Sequence, residues 1–98
     1  MNTYMVIIQL PKQLTDEFIS LVPQQREYIN ELMNEGKILQ YALAIDRSNL
    51  WLTISAQSKA KAVDIVSSFP LISYMKPHFV ELAIYNSIST ELPKLIMN

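Results

Sequence analysis

Residues 37–56 read KILQYALAIDRSNLWLTISA, and this stretch decides the fold. Two runs of β-branched, aromatic and aliphatic residues flank Asp46-Arg47-Ser48-Asn49, four residues of turn composition without glycine. In the first run, Lys37 to Ile45, Leu39, Tyr41, Leu43 and Ile45 share one face, while Ile38, Gln40, Ala42 and Ala44 share the other. In the second, Leu50 to Ala56, Leu50, Leu52 and Ile54 alternate against Trp51, Thr53 and Ser55. Period-two alternation on both sides of a turn predicts a β-hairpin.

Helical signals bracket this hairpin. Upstream, Thr15 stands where an N-cap is wanted, and Asp16 and Glu17 follow in the first turn, where the helix dipole favours carboxylates. Leu14 and Ile19 have the spacing of a hydrophobic staple. Phe18, Leu21, Val22, Gln25, Ile29, Leu32 and Met33 then keep the helical period, with Gln25 its one polar break. Gly36, the only glycine, predicts a left-handed C-cap. Pro23 removes one backbone hydrogen bond and is expected to kink the helix or divide it near Val22. Downstream, Ser58 caps a second predicted helix, Lys59 to about Phe69, whose inner stripe is Ala62, Val63, Ile65, Val66 and Phe69. Pro70 stops it.

A strand lies outside each helix. Tyr4 to Leu10 is apolar on both faces and ends at Pro11, which lacks a ladder donor. His78 to Tyr85 alternates His78, Val80, Leu82 and Ile84 against Phe79, Glu81, Ala83 and Tyr85. Strand-helix-strand-strand-helix-strand is the order of the ferredoxin-like split βαβ motif. The expectation is an α+β domain over residues 1–86, a four-stranded antiparallel sheet with two helices on one face. A C-terminal tail over 87–98 contains Leu92, Leu95, Ile96 and Met97, too apolar a set for simple disorder.

Composition narrows the function classes. The 98 residues suffice for one domain, half are hydrophobic and 17% are charged. Eight basic against nine acidic residues give a net charge of −1 and no basic stripe, so nucleic acid is not expected as a partner. No run of about 18 apolar residues suggests a membrane span. The N-terminus lacks the charged region and cleavage site of a secretory signal, so the cytoplasm is the expected location. Without cysteine there is no disulfide or thiolate chemistry. Histidine and carboxylates show no metal-ligand spacing, and neither metal nor cofactor is expected.

Two helices cover one face of a four-stranded sheet. In a monomer the other face should be polar. Each phase of these strands instead leaves apolar groups there: Met5, Ile7, Ala42 or Tyr41, and Trp51. Leaving them wet forfeits about 25 cal/mol per Å². A homodimer, or a higher homo-oligomer, with the sheets facing across a barrel-like space is therefore expected. The alternative is a monomer whose C-terminal tail folds back over the sheet.

Ser68-Phe69-Pro70-Leu71-Ile72-Ser73-Tyr74-Met75, before the last strand, resembles a segment of muconolactone isomerases. Gln9-Leu10-Pro11 and Asn34-Glu35-Gly36 are similar to that family too, and the element order agrees over about residues 3–85. The resemblance implies a dimeric α+β barrel, whose superfamily also holds YCII-like proteins and cofactor-free monooxygenases. It also implies a tail, Leu92 to Met97, that packs on a neighbouring subunit. The departures concern chemistry. Met5 stands where the family carries a histidine, Leu43 near the place of its strand-two arginine, and Asp46 near an expected glycine. Groups that would handle a lactone carboxylate are replaced, so the resemblance carries the fold and not the isomerase reaction.

The candidate site residues follow. His78 is the only histidine, the residue type best suited to proton transfer near neutrality, and is a candidate general base; otherwise it is a half-exposed histidine at a sheet edge. Glu81 becomes a proton carrier if it faces a closed cavity, and an ordinary surface carboxylate if it does not. Three positions apart on a strand, His78 and Glu81 face opposite ways and form no acid–base pair within one chain. Tyr41, Trp51, Tyr74 and Tyr85 are candidate ligand-binding aromatics, or else core and interface packing. Asp46 and Arg47 read as a solvated pair. Two functions remain open: a small cofactor-free enzyme acting by proton transfer on an apolar or aromatic metabolite in the barrel, or a non-catalytic small-molecule-binding or assembly protein of the same fold. A heme- or oxygen-handling relative would rest on His78 alone.

Overall fold

The computed structural model describes residues 1–87. The elements run β1 (Asn2–Gln9), α1 (Asp16–Asn34), β2 (Ile38–Leu43), β3 (Asn49–Ala56), α2 (Lys59–Ser67), a short 3₁₀ turn (Ile72–Tyr74) and β4 (Lys76–Leu82). The sheet order is β2-β3-β1-β4, every neighbouring pair antiparallel. This is the ferredoxin-like α+β arrangement, with two split βαβ units interleaved. The expected tail, Leu92 to Met97 included, lies outside the described residues.

Both helix starts are built as the sequence implies. Thr15 Oγ1 accepts from Phe18 N at 3.1 Å, and Ser58 Oγ accepts from Lys61 N at 3.3 Å. The end of α1 is a Schellman motif: Lys37 N donates to Leu32 O at 2.9 Å and Gly36 N to Met33 O at 3.0 Å. Gly36 takes φ +75°, where a side chain would be strained. Pro23 does not divide the helix; α1 is one element of 19 residues. Leu14 and Ile19 both remain exposed.

One face of the sheet holds the core. Tyr4, Val6 and Ile8 of β1 and Leu50, Leu52 and Ile54 of β3 are fully buried there. Phe18, Ile29 and Leu32 come down from α1, Ala62 and Val66 from α2, and Phe69 and Leu71 follow α2. Phe69 also meets Tyr28 edge-on at 5.9 Å. In β2, strict alternation would put Ile38 and Tyr41 on opposite faces. A β-bulge at Leu39 changes the register instead, so that Ile38 pairs with Ile54 and Tyr41 with Leu52, both on the helix side. Burying Ile38 there is worth about 1.5–3 kcal/mol, against about 0.5–1.5 kcal/mol for one ladder hydrogen bond.

Strand bounds differ from expectation at several ends. β1 starts at Asn2, and β2 stops at Leu43, where the turn begins. β4 starts two residues early, runs through Pro77 and stops at Leu82, short of Tyr85. Proline is tolerated because β4 is an edge strand.

Among the described residues no helix covers the second face. Cross-strand rows there are Ala42–Trp51–Ile7–His78 and Gln40–Thr53–Met5–Val80, ending in Ser55–Thr3–Leu82. Of the two options at β2, the structure selects Ala42 for this face and turns Tyr41 to the helices. Trp51 is 39% exposed.

Candidate functional site

The helix-side core is incomplete at one end. Between α1 and the β2–β3 end of the sheet lies a partly open cavity of about 390 Å³. That is within the size range of small-molecule sites. Its wall is largely aliphatic and aromatic: Leu10, Leu14, Phe18, Val22, Ile29, Met33, Leu43, Leu50, Leu71 and Met75. The polar residues lining it are Gln25, Arg26 and Asn30 of α1, Tyr41 of β2 and Arg47 of the hairpin turn. Among the described residues that line it there is no histidine and no carboxylate.

Gln25 is the pivotal polar group. It interrupts the apolar stripe of α1 and is only 4% exposed. Its Oε1 accepts from Leu71 N at 3.1 Å, which ties α1 to the segment after α2. Its Nε2 is buried and has no hydrogen-bond partner among the described residues. An amide left unpaired in this way costs about 1–3 kcal/mol, and the neighbouring Tyr41 hydroxyl is the group placed to relieve it. The Tyr41 phenol lines the same cavity and lies within side-chain hydrogen-bonding influence of Gln25, though without a fully formed bond to Nε2. Burial pushes its pKa up, against the opposing influence of the Gln25 amide and the Arg26 charge. Tyr41 therefore remains a neutral hydroxyl that both donates and accepts.

Arg47 reaches the cavity from an unusual backbone. Asp46 closes the turn, its carboxylate accepting from Ser48 N at 3.0 Å and from Ser48 Oγ at 2.6 Å. These bonds hold the Asp46 carboxyl below its ordinary pKa. Arg47 N donates to Ala44 O at 2.9 Å, and Arg47 takes φ +62°. Among the described residues it is the only non-glycine one with positive φ. The expected solvated pair between Asp46 and Arg47 does not form: Asp46 serves Ser48, and the one ion pair among the described residues is Lys37 with Glu35 at 3.2 Å.

The six residues singled out by sequence do not converge. Tyr41 lines the cavity. Trp51 and His78 stand two strands apart in one row of the open sheet face, with Ile7 between them. His78 is exposed. Glu81 pairs with Tyr4, which puts it on the helix side, but at the edge strand it is exposed as well. His78 and Glu81 thus lie on opposite faces, as their spacing requires. Tyr74 donates to Glu17 Oε2 at 3.0 Å and meets Phe18 edge-on at 5.3 Å, bracing the N-terminus of α1. The hydrogen bond to Glu17 holds the Tyr74 proton more tightly than usual. Tyr85 lies beyond β4 and is half-buried.

The open face has its own polar orphan. Thr53, at the centre of the sheet, is 0% exposed and its Oγ1 has no partner among the described residues. Met5, Gln40, Ala42 and Trp51 rim a shallower hollow of about 220 Å³ beside it. Among the described residues no helix is long and apolar enough to cross a membrane, and no three histidine or acidic side chains gather as for a metal. A scan against protein-family models and a search of curated proteins each return no match to this chain.

Proposed function

We propose that this protein binds a small, mainly apolar molecule in the cavity beneath α1. One observation carries the reading: a partly open 390 Å³ space is walled by aliphatic and aromatic side chains, with the Gln25 amide and the Tyr41 hydroxyl set among them. Well-packed domains rarely leave such a space beside such a group unless something occupies it. Of the two functions left open by the sequence, the binding protein is favoured over the proton-transfer enzyme, because the cavity lining offers no residue that serves as a base near neutral pH.

The test is titration with decan-1-ol, a neutral apolar probe, followed by calorimetry. Leu43→Trp places an indole at the cavity mouth, on a residue exposed enough to accept it. Saturable binding to the native protein and its loss in the folded variant are expected. Equal binding to both would put the site elsewhere.

The resemblance to muconolactone isomerases supports a second reading, in which two copies join their open sheet faces and enclose a barrel. Its support is the composition of that face: Met5, Ile7, Ala42, Trp51, Val80 and Leu82 across all four strands, where an antiparallel sheet facing water would alternate to polar residues. His78 then borders the enclosed space and is the base available for proton transfer. Sedimentation equilibrium tests the pairing, with Trp51→Lys expected to give monomers. Turnover that survives His78→Ala in a metabolite screen would end the catalytic version.

A further inference from the structure

Resting on the cavity as a ligand site, we infer that its ligand is an amphipathic carboxylate, with the apolar body beneath α1 and the head group held by Arg26 and Arg47. Three observations meet at this point. First, among the described residues the only charged side chains lining the cavity are these two arginines, although the chain as a whole carries a net charge of −1. Second, neither guanidinium has a carboxylate partner among the described residues. Two unpaired guanidinium groups at the edge of an apolar space form a site of one sign, and arginine matches a carboxylate with two parallel N–H donors.

Third, Arg47 stands at a strained backbone position. A side chain at φ +62° costs about 1 kcal/mol relative to glycine, and hairpin turns of this kind ordinarily place glycine or asparagine there. Strain retained beside a cavity is a pointer to function when the residue itself lines that cavity. The turn is locked by Asp46 and Ser48, so Arg47 is presented from a fixed support and not from a loose loop. Inside, the Tyr41 hydroxyl, backed by the Gln25 amide, is a neutral donor available to a head-group oxygen or to a polar atom along the body.

The experiment compares decanoate with methyl decanoate, which share a body and differ in charge, on the native protein and on Arg26→Gln and Arg47→Gly. Decanoate is expected to bind at least about tenfold tighter than the ester, the contribution of one charge-assisted hydrogen bond. Each variant should weaken decanoate about tenfold and leave the ester unchanged. Arg47→Gly should also raise the thermal midpoint, because glycine relieves the positive φ, so loss of binding cannot be blamed on unfolding. Binding of both probes with equal affinity, or indifference of decanoate to both substitutions, would overturn the carboxylate assignment while leaving the cavity site intact. Failure of both probes to bind would overturn the cavity site and this assignment with it.

Discussion

Replacing Gln25 with leucine isolates the feature that sets the cavity apart from ordinary packing. The substitution removes the acceptor for Leu71 N, a bond of 3.1 Å in a buried place, and leaves that N–H unpaired at about 1–3 kcal/mol. It also removes the Nε2 that lacks a partner, which returns about the same amount. Leucine fills a similar volume and is a good helix former. The two contributions oppose each other, so Gln25→Leu should lie within about 1 kcal/mol of the native protein. Gln25→Ala meets the same cancellation but leaves a void, and should cost about 2–3 kcal/mol. Urea denaturation followed by circular dichroism resolves these values, since a slope of about 1 kcal/mol per molar shifts the midpoint by about 1 M per kcal/mol. A loss above about 3 kcal/mol in Gln25→Leu would mean that Nε2 has a strong partner in the native protein. The cavity wall would then hold no unmet donor, and the reasoning from it would fail.

Two further outcomes follow from the same structure. Thr53→Val keeps the branched shape and removes a buried hydroxyl without a partner, so it should be neutral or stabilising by about 1 kcal/mol; a loss of that size in thermal melts would show that the hydroxyl is bonded, as it would be against a second copy. Tyr41 has a folded-state pKa raised above its unfolded value, so the native state holds the phenol proton more tightly. Its stabilising contribution is complete below about pH 10 and disappears as pH rises through the folded value. The stability difference between native protein and Tyr41→Phe should therefore shrink on the alkaline side alone, and a difference that stays flat there would contradict the burial of the phenol.

The fold was largely legible because its signals are local and redundant. Thr15, Ser58 and Gly36 act through their own backbone neighbourhoods, and all three do what their chemistry implies. Element order and alternation then leave few ways to join four strands. Alternation failed in β2, where the bulge at Leu39 depends on register against β3, a tertiary matter. It misjudged β4 because Pro77 argues against a strand unless the strand is known to be at an edge.

The cavity was much less legible. Of the six titratable and aromatic side chains that the sequence offers as site candidates, only Tyr41 lines it. Gln25 was visible as a polar break in the apolar stripe of α1, a signal that pointed to a buried amide but not to what it faces. Arg47 was visible only as a turn residue; its left-handed backbone and its place beside α1 arise from the packed structure.

The most direct test of the ligand site is an amide-resolved NMR titration with decan-1-ol, because the side-chain NH₂ of Gln25 gives its own pair of signals. Those signals, with the backbone amides of Val22, Tyr41 and Leu71, should move together and saturate. Shifts confined to the Trp51 indole, Ile7 and His78, with the Gln25 pair unmoved, would place binding on the open sheet and contradict a site beneath α1.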